Sequence, residues 1–213
     1  MPELPHAYNS LPLFPLNVVL FPQSKLSLHI FEDRYKEMIS ECYEHTTSFG
    51  INLIYEQQIR TVGCTARILE ITKRYFDGRF DIVVEGIQRY VLHGIEESSK
   101  PYFIGKVQPM EDEDESRDEK LLEKAVEMYN EFVSIVYPVI VKKIPREEQK
   151  RIHSFYLAQK AGLDVLQRHI ILSMNSEIRR LQFIIQHFEA TLPLLASKNV
   201  VEELAKQDGY IQQ

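Results

Sequence analysis

Thiols are scarce in this chain. Its 213 residues include two cysteines, Cys42 and Cys64. That is too few for a disulfide framework or for a zinc site built on thiolates. Cys42 falls in a helical pattern and Cys64 in a strand pattern, so both read as inert, partly buried thiols. Long apolar runs are missing too. None approaches about 18 residues, the length that would span a bilayer. No positively charged start leads into an apolar stretch with a small-residue cleavage site, so no signal peptide is expected. A cytoplasmic protein without a membrane segment is the expectation.

The signatures of common chemistries are also absent. The eight glycines are Gly50, Gly63, Gly78, Gly86, Gly94, Gly105, Gly162 and Gly209. They fit no phosphate-cradling loop: Gly105-Lys106 is followed by Val107, and no glycine lies five residues before Gly105. The seven histidines form no His-Glu-x-x-His motif and pair with no cysteine at zinc spacing. There is no Gly-x-Ser-x-Gly elbow to hold an acyl-transfer nucleophile. No enzyme, cofactor or metal is expected, and no repeat of 20 to 50 residues is visible.

What is present is an ordinary globular composition. Hydrophobic residues make up 44% and charged residues 26%, with a formal net charge of -6. The chain can bury a sizeable core, and the negative balance argues against a partner whose phosphates need neutralising. Leu11 to Leu20 is apolar but interrupted by Pro12 and Pro15, which suits an edge strand or one that starts after Pro15. Phe21-Pro22-Gln23-Ser24 reads as a turn. Leu26, Leu28 and Ile30 alternate with Ser27 and His29, a strand with one buried face. Tyr35, Met38, Ile39 and Cys42 then fall at helical spacing, predicting a helix from Glu32 to about Tyr43.

Short strands follow over Gly50–Tyr55, Val62–Tyr75, Phe80–Val84, Arg89–Leu92 and Tyr102–Val107. Asp77-Gly78 lies between two of them as a type I′ hairpin signal. Many short strands, tight turns and one helix point to a small, highly curved sheet or barrel. Residues 111–119, EDEDESRDE, then break the composition and read as a solvated segment or linker that can continue as the acidic first turn of a helix. Beyond it the apolar spacing is helical. Leu122 to Ile140 follows a three-four pattern that Pro138 should end or kink. Helices are expected over about 146–161, stopped by Gly162, over 164 to about 174, and from a cap at Asn175 or Ser176 to about Leu195. The expected organisation is 1–110 as a β-rich subdomain behind a loose lead of ten residues, 111–119 as an acidic linker, and 120–213 as a helical subdomain.

These residues carry a family likeness. Leu11 to Ile39 holds a Pro-Leu-Phe-Pro-Leu start, a Leu-Phe-Pro turn and a His-Ile-Phe-Glu-x-Arg-Tyr end. Gly63-Cys-Thr-Ala-Arg-Ile, Asp77-Gly78-Arg79-Phe80, Gly86-Ile-Gln-Arg89-Tyr90, Pro101-Tyr102 and Glu177-Ile-Arg-Arg180-Leu181 follow in order. Together they resemble the amino-terminal domain of Lon, the ATP-dependent protease. The resemblance implies an α+β fold, with a PUA-like β pseudo-barrel carrying one or more helices, followed by an α-helical bundle. It also implies recognition of substrate without chemistry. Nothing in the chain resembles the family's ATPase or Ser-Lys protease segments.

The candidate binding residues are His29, Phe31, Glu32, Arg34, Tyr35 and Arg89. Glu32 to Tyr35 fit two roles: a polar rim engaging an extended peptide, or a helix start where acids suit the positive end of the dipole and Arg34 pairs with one of them. Arg89 fits either a ligand clamp or a buried arginine satisfying carbonyls. The expected partners are exposed apolar peptide segments or another protein. The alternative is RNA. The basic cluster Lys142, Lys143, Arg146, Lys150 and Arg151 is diluted by Glu147 and Glu148 and has no interleaved aromatics, which argues against nucleic acid. A small hydrolase would require a deep pocket of converging polar groups.

Overall fold

The computed structural model describes residues 9–113, 118–195 and 198–208. Most of the expected lead and residues 114–117 of the acidic run lie outside them. The chain is of the mixed α+β class and divides between Glu111 and Asp112 into two compact units.

The first unit runs β1 (Asn9–Leu16), β2 (Lys25–Ile30), α1 (Asp33–Glu44), β3 (Phe49–Tyr55), β4 (Gln58–Arg74), β5 (Phe80–Glu96) and β6 (Phe103–Pro109). The six strands form one sheet in the order β2-β5-β4-β3-β1-β6, and β5 also pairs with β6. Five strands therefore close into a ring, with β2 outside it. Closure depends on the two 17-residue strands, β4 and β5. Strand β4 pairs with β3 only as far as Ala66, but with β5 out to Arg74. Strand β5 pairs with β2 over 80–85 and with β6 over 90–96. The outer halves of β4 and β5 thus leave the ring and join β2 in a three-stranded leaf.

Alternation along the leaf decides what it buries. Phe80, Ile82 and Val84 of β5 and Ile30 of β2 point inward. They pack in one core with Tyr35, Met38, Ile39 and Cys42 of α1 and with Phe14, Phe49, Ile51 and Cys64 of the ring. Fully burying an aliphatic side chain such as Met38 or Ile39 contributes about 1.5–3 kcal/mol. That packing, more than local propensity, stabilises a helix of 12 residues. A smaller core of Leu13, Tyr90, Leu92 and Val107 belongs to the ring alone.

Several expectations change. Strand β1 is neither an edge nor delayed until after Pro15. It pairs with β6 over 9–13 and with β3 over 13–16. It switches partner at Leu13, so Pro12 is paired only with β6 and Pro15 only with β3. The strands expected over Phe80–Val84 and Arg89–Leu92 are one, β5, which runs through Gly86 and Gly94. A Cβ at Gly86 would meet the Phe21 carbonyl oxygen at 2.2 Å, because the Phe21–Ser24 turn is bonded to the Gly86 backbone (Gly86 N to Ser24 O, 2.9 Å). The Asp77-Gly78 turn is not type I′. Only Gly78 has positive φ (82°), and Tyr75 O accepts from Gly78 N at 3.1 Å. That is a three-residue loop closed by a left-handed glycine.

The second unit holds α2 (Glu119–Val136), α3 (Ser154–Ala158), α4 (Val165–Ser173), α5 (Glu177–Thr191) and α6 (Lys198–Gln207). Helix α2 stops just before Pro138, as its missing N–H requires. The helix expected over 146–161 is reduced to a 3-10 turn, Gln149–Arg151, and the five-residue α3. Extended backbone at Ile152 and His153 separates the two. Gly162 lies in the left-handed region (φ 66°), and helix α6 has no counterpart in the expectations.

The acidic run is not wholly solvated. Asp112 accepts from Arg180 Nη1 at 2.7 Å, and Asp118 caps α2 through Leu121 N at 3.0 Å. Arg180 is buried and also meets Glu177 Oε2 at 2.8 Å and Ser154 Oγ at 2.8 Å. No helix among the described residues is long and apolar enough to cross a membrane.

Candidate functional site

The leaf's outer face is built by the odd positions of β2 and β5. In the pairing, His29 lies opposite Asp81, and Asp81 lies opposite Lys73 of β4. Lys25 lies opposite Glu85, which lies opposite Arg67. Two rows therefore cross the leaf, each with an acid on the central strand and bases on both flanking strands. His29 Nδ1 donates to Asp81 Oδ1 at 2.5 Å, and Tyr75 Oη donates to Asp81 Oδ2 at 2.9 Å. The His29 bond first, and then the Tyr75 bond, hold the Asp81 carboxyl below the usual carboxylate range. Arg67 Nη2 reaches Glu85 Oε2 at 2.7 Å.

Aromatic rings gather on this face. His29 stacks on Phe31 at 6.0 Å and meets Tyr75 edge-on at 5.6 Å. The Tyr75 ring carries Lys73 Nζ at 4.5 Å and the Arg79 guanidinium at 5.2 Å. Phe31 is 59% exposed, and Phe76, at the hairpin tip, is exposed to the limit of a free side chain (115%). Exposed aromatic side chains grouped this way supply apolar area and flat faces to a partner.

The six predicted residues separate into three groups. His29 and Phe31 meet on the leaf. Glu32 and Arg34 form a rim beside them: Arg34 Nη2 reaches Glu32 Oε2 at 2.8 Å, and its guanidinium lies 4.5 Å over the Tyr35 ring. Glu32 is the N-cap of α1, yet its side chain makes no capping bond. Tyr35 is buried under that rim with its ring 4.1 Å from Phe14. Burial raises its phenol's pKa. Arg89 is buried eight residues further along β5 than Asp81, opposite Cys64. Tyr35 and Arg89 therefore stand behind the surface.

Sequence reading missed Lys73, Tyr75, Phe76 and Asp81. The available signal was the hairpin at Asp77-Gly78, which places its flanking aromatics at a strand tip. The pairing of β2 with β5 was needed to bring them to His29. Among the described residues no group of three or more His, Cys, Asp or Glu side chains could hold a metal ion. The Cys64 thiol is pushed up to about 12 by burial, which suits no nucleophile.

The fold has known counterparts. The chain is similar in structure to a crystallised Lon N-terminal domain protein from Xanthomonas campestris, with TM-score 0.61 and 23% identity over 84% of this chain and 98% of that one. It is also similar to the N-terminal domain of a Mycobacterium avium complex Lon protease, with TM-score 0.65 and 16% identity over 85% of this chain and 98% of that one. No curated protein matches it. Residues 10–190 match the sequence profile of the ATP-dependent protease La (LON) substrate-binding domain, and the chain is a member of that family.

Proposed function

We propose that this protein is a non-catalytic recognition module whose leaf takes an extended, apolar peptide segment or a protein partner. The six-stranded unit is then a PUA-like pseudo-barrel, the second unit is a helical bundle, and the protein works in the cytoplasm. The observation that carries the reading is the cluster of His29, Phe31 and Tyr75 beside β2, with Phe76 at the tip. Strand β2 lies at the end of the sheet order with six pairs in unbroken register. Its outer edge offers backbone donors and acceptors to an added strand, and the aromatics offer side-chain contacts. Strand β4, at the leaf's other flank, carries register shifts between Ile68 and Glu70 and between Ile71 and Lys73. Such bulges discourage strand addition there.

Fluorescence anisotropy with extended, apolar model peptides tests this. Micromolar binding that Phe31→Ala weakens about tenfold is the expected result, a loss on the scale of one buried aromatic contact. Absence of binding at high micromolar concentration overturns it.

A further inference from the structure

We infer that the segment taken at the β2 edge of the leaf carries a carboxylate beside its apolar residue. This rests on the reading of the leaf as a peptide site and names the class of peptide. The flanking strands are basic. Strand β2 reads KLSLHI and contains no acid. The outer half of β4 carries Arg67, Lys73 and Arg74 against the single acid Glu70. The leaf's other acids sit on the central strand, where Asp81 and Glu85 already have partners at 2.5 Å and 2.7 Å. At the tip, Asp77 is taken by Arg79 at 2.7 Å.

Lys25, on the edge strand, has no carboxylate within ion-pairing distance among the described residues, and neither has Lys73, two strands away on β4. Lys73 lies over the Tyr75 ring at 4.5 Å, while Arg74, opposite Phe80, lies over that ring on the leaf's other face at 5.7 Å. A cation on an exposed edge makes addition of a neutral or basic strand unfavourable, which is why lysines protect sheet edges. The same cation favours an added strand that brings a carboxylate opposite it. Edge protection and partner selection are then one device: a segment lacking acids meets Lys25 unpaired, and one carrying them relieves it. The apolar residue beside the carboxylate meets the exposed Phe31 ring.

Three labelled peptides with one apolar core, flanked by glutamates, serines or lysines, test this on the full chain by anisotropy. The expected order is glutamate tightest and lysine weakest, with a spread of about tenfold between them. The spread should shrink as salt is raised to about 0.5 M. In Lys25→Glu the order should flatten or reverse. The position is exposed, and an unchanged thermal transition confirms that the variant folds. Equal binding of all three peptides overturns the charge preference and leaves the peptide site standing. Failure of all three overturns both. Tighter, salt-sensitive binding of a single-stranded oligoribonucleotide than of the glutamate peptide overturns the inference in favour of nucleic acid.

Discussion

Tyr90 donates its buried hydroxyl to Asn52 Oδ1 inside the ring, and Asn52 Nδ2 donates in turn to the Arg60 carbonyl at 2.9 Å. The phenol fits because two glycines leave room for it. A Cβ at Gly50 would lie 2.2 Å from the Tyr90 hydroxyl oxygen, and one at Gly63 would lie 2.6 Å from the ring. Gly63→Ala should therefore force Tyr90 from its place and lower stability by about 1–3 kcal/mol. Tyr90→Phe should cost a similar amount, about 1–3 kcal/mol, because it leaves the Asn52 oxygen buried without that donor. Urea titrations of the three proteins check both. A midpoint unchanged in Gly63→Ala would mean that the ring gives way more easily than the geometry allows.

A second tie predicts pH dependence. Glu41 of α1 accepts from Lys100, and from Tyr102 Oη at 2.6 Å. The Lys100 bond, and then the Tyr102 bond, hold its carboxyl below the ordinary glutamate range. A lowered folded pKa means that the unfolded chain binds the proton more readily. The stabilisation is therefore full above the unfolded pKa and is lost as pH falls through the folded one. The melting temperature should fall on acidification below about pH 5, and Glu41→Gln should melt lower at neutral pH with a shallower acid decline. Parallel Tm–pH curves for the two proteins would remove Glu41 from the account.

The β3–β4 turn shows where sequence reading stopped. Glu56 and Gln57 sit at φ 50° and 62°, between the paired residues Tyr55 and Gln58. A two-residue turn with both positions left-handed is of the type I′ kind, yet it contains no glycine or asparagine to announce it. The left-handed region costs an ordinary residue about 1–2 kcal/mol. Glu56→Asn with Gln57→Gly should relieve part of that and raise stability by about 1 kcal/mol, read from the shift in denaturant midpoint.

The same limit explains what could be read and what could not. Helix α1, the alternation of β2 and the end of α2 before Pro138 follow from local spacing and backbone chemistry. Spacing alone splits β5 into Phe80–Val84 and Arg89–Leu92, because a glycine between strand patterns reads as a break, whereas Gly86 lies within the strand and admits the Phe21 carbonyl. At the candidate site, His29 and Phe31 were visible in one short motif. Asp81 and Tyr75 join them through the pairing of β2 with β5, which sets His29 opposite a residue 52 positions on, and no local pattern encodes that pairing.

In the helical unit Arg180 is the residue to remove. It is 2% exposed and reaches Asp112, Glu177, Ser154 and the Met174 carbonyl. Arg180→Met should lower stability by about 3–5 kcal/mol, since acids and a hydroxyl are left without their shared donor. Replacing Asp112 alone should cost less, because Glu177 still faces the guanidinium. Calorimetry on the two variants gives the order.

Strand β5 belongs to the ring and to the leaf without an intervening loop. No loop parts Asp81 on the leaf from Tyr90 in the ring wall, but the passage between them is bulged: Gly86 pairs with Ala66 and Arg89 with Cys64, so β5 carries one residue more than β4 there. A bulge bends its strand and sharpens the local twist. The leaf is therefore turned off the wall of the ring by a single inserted residue.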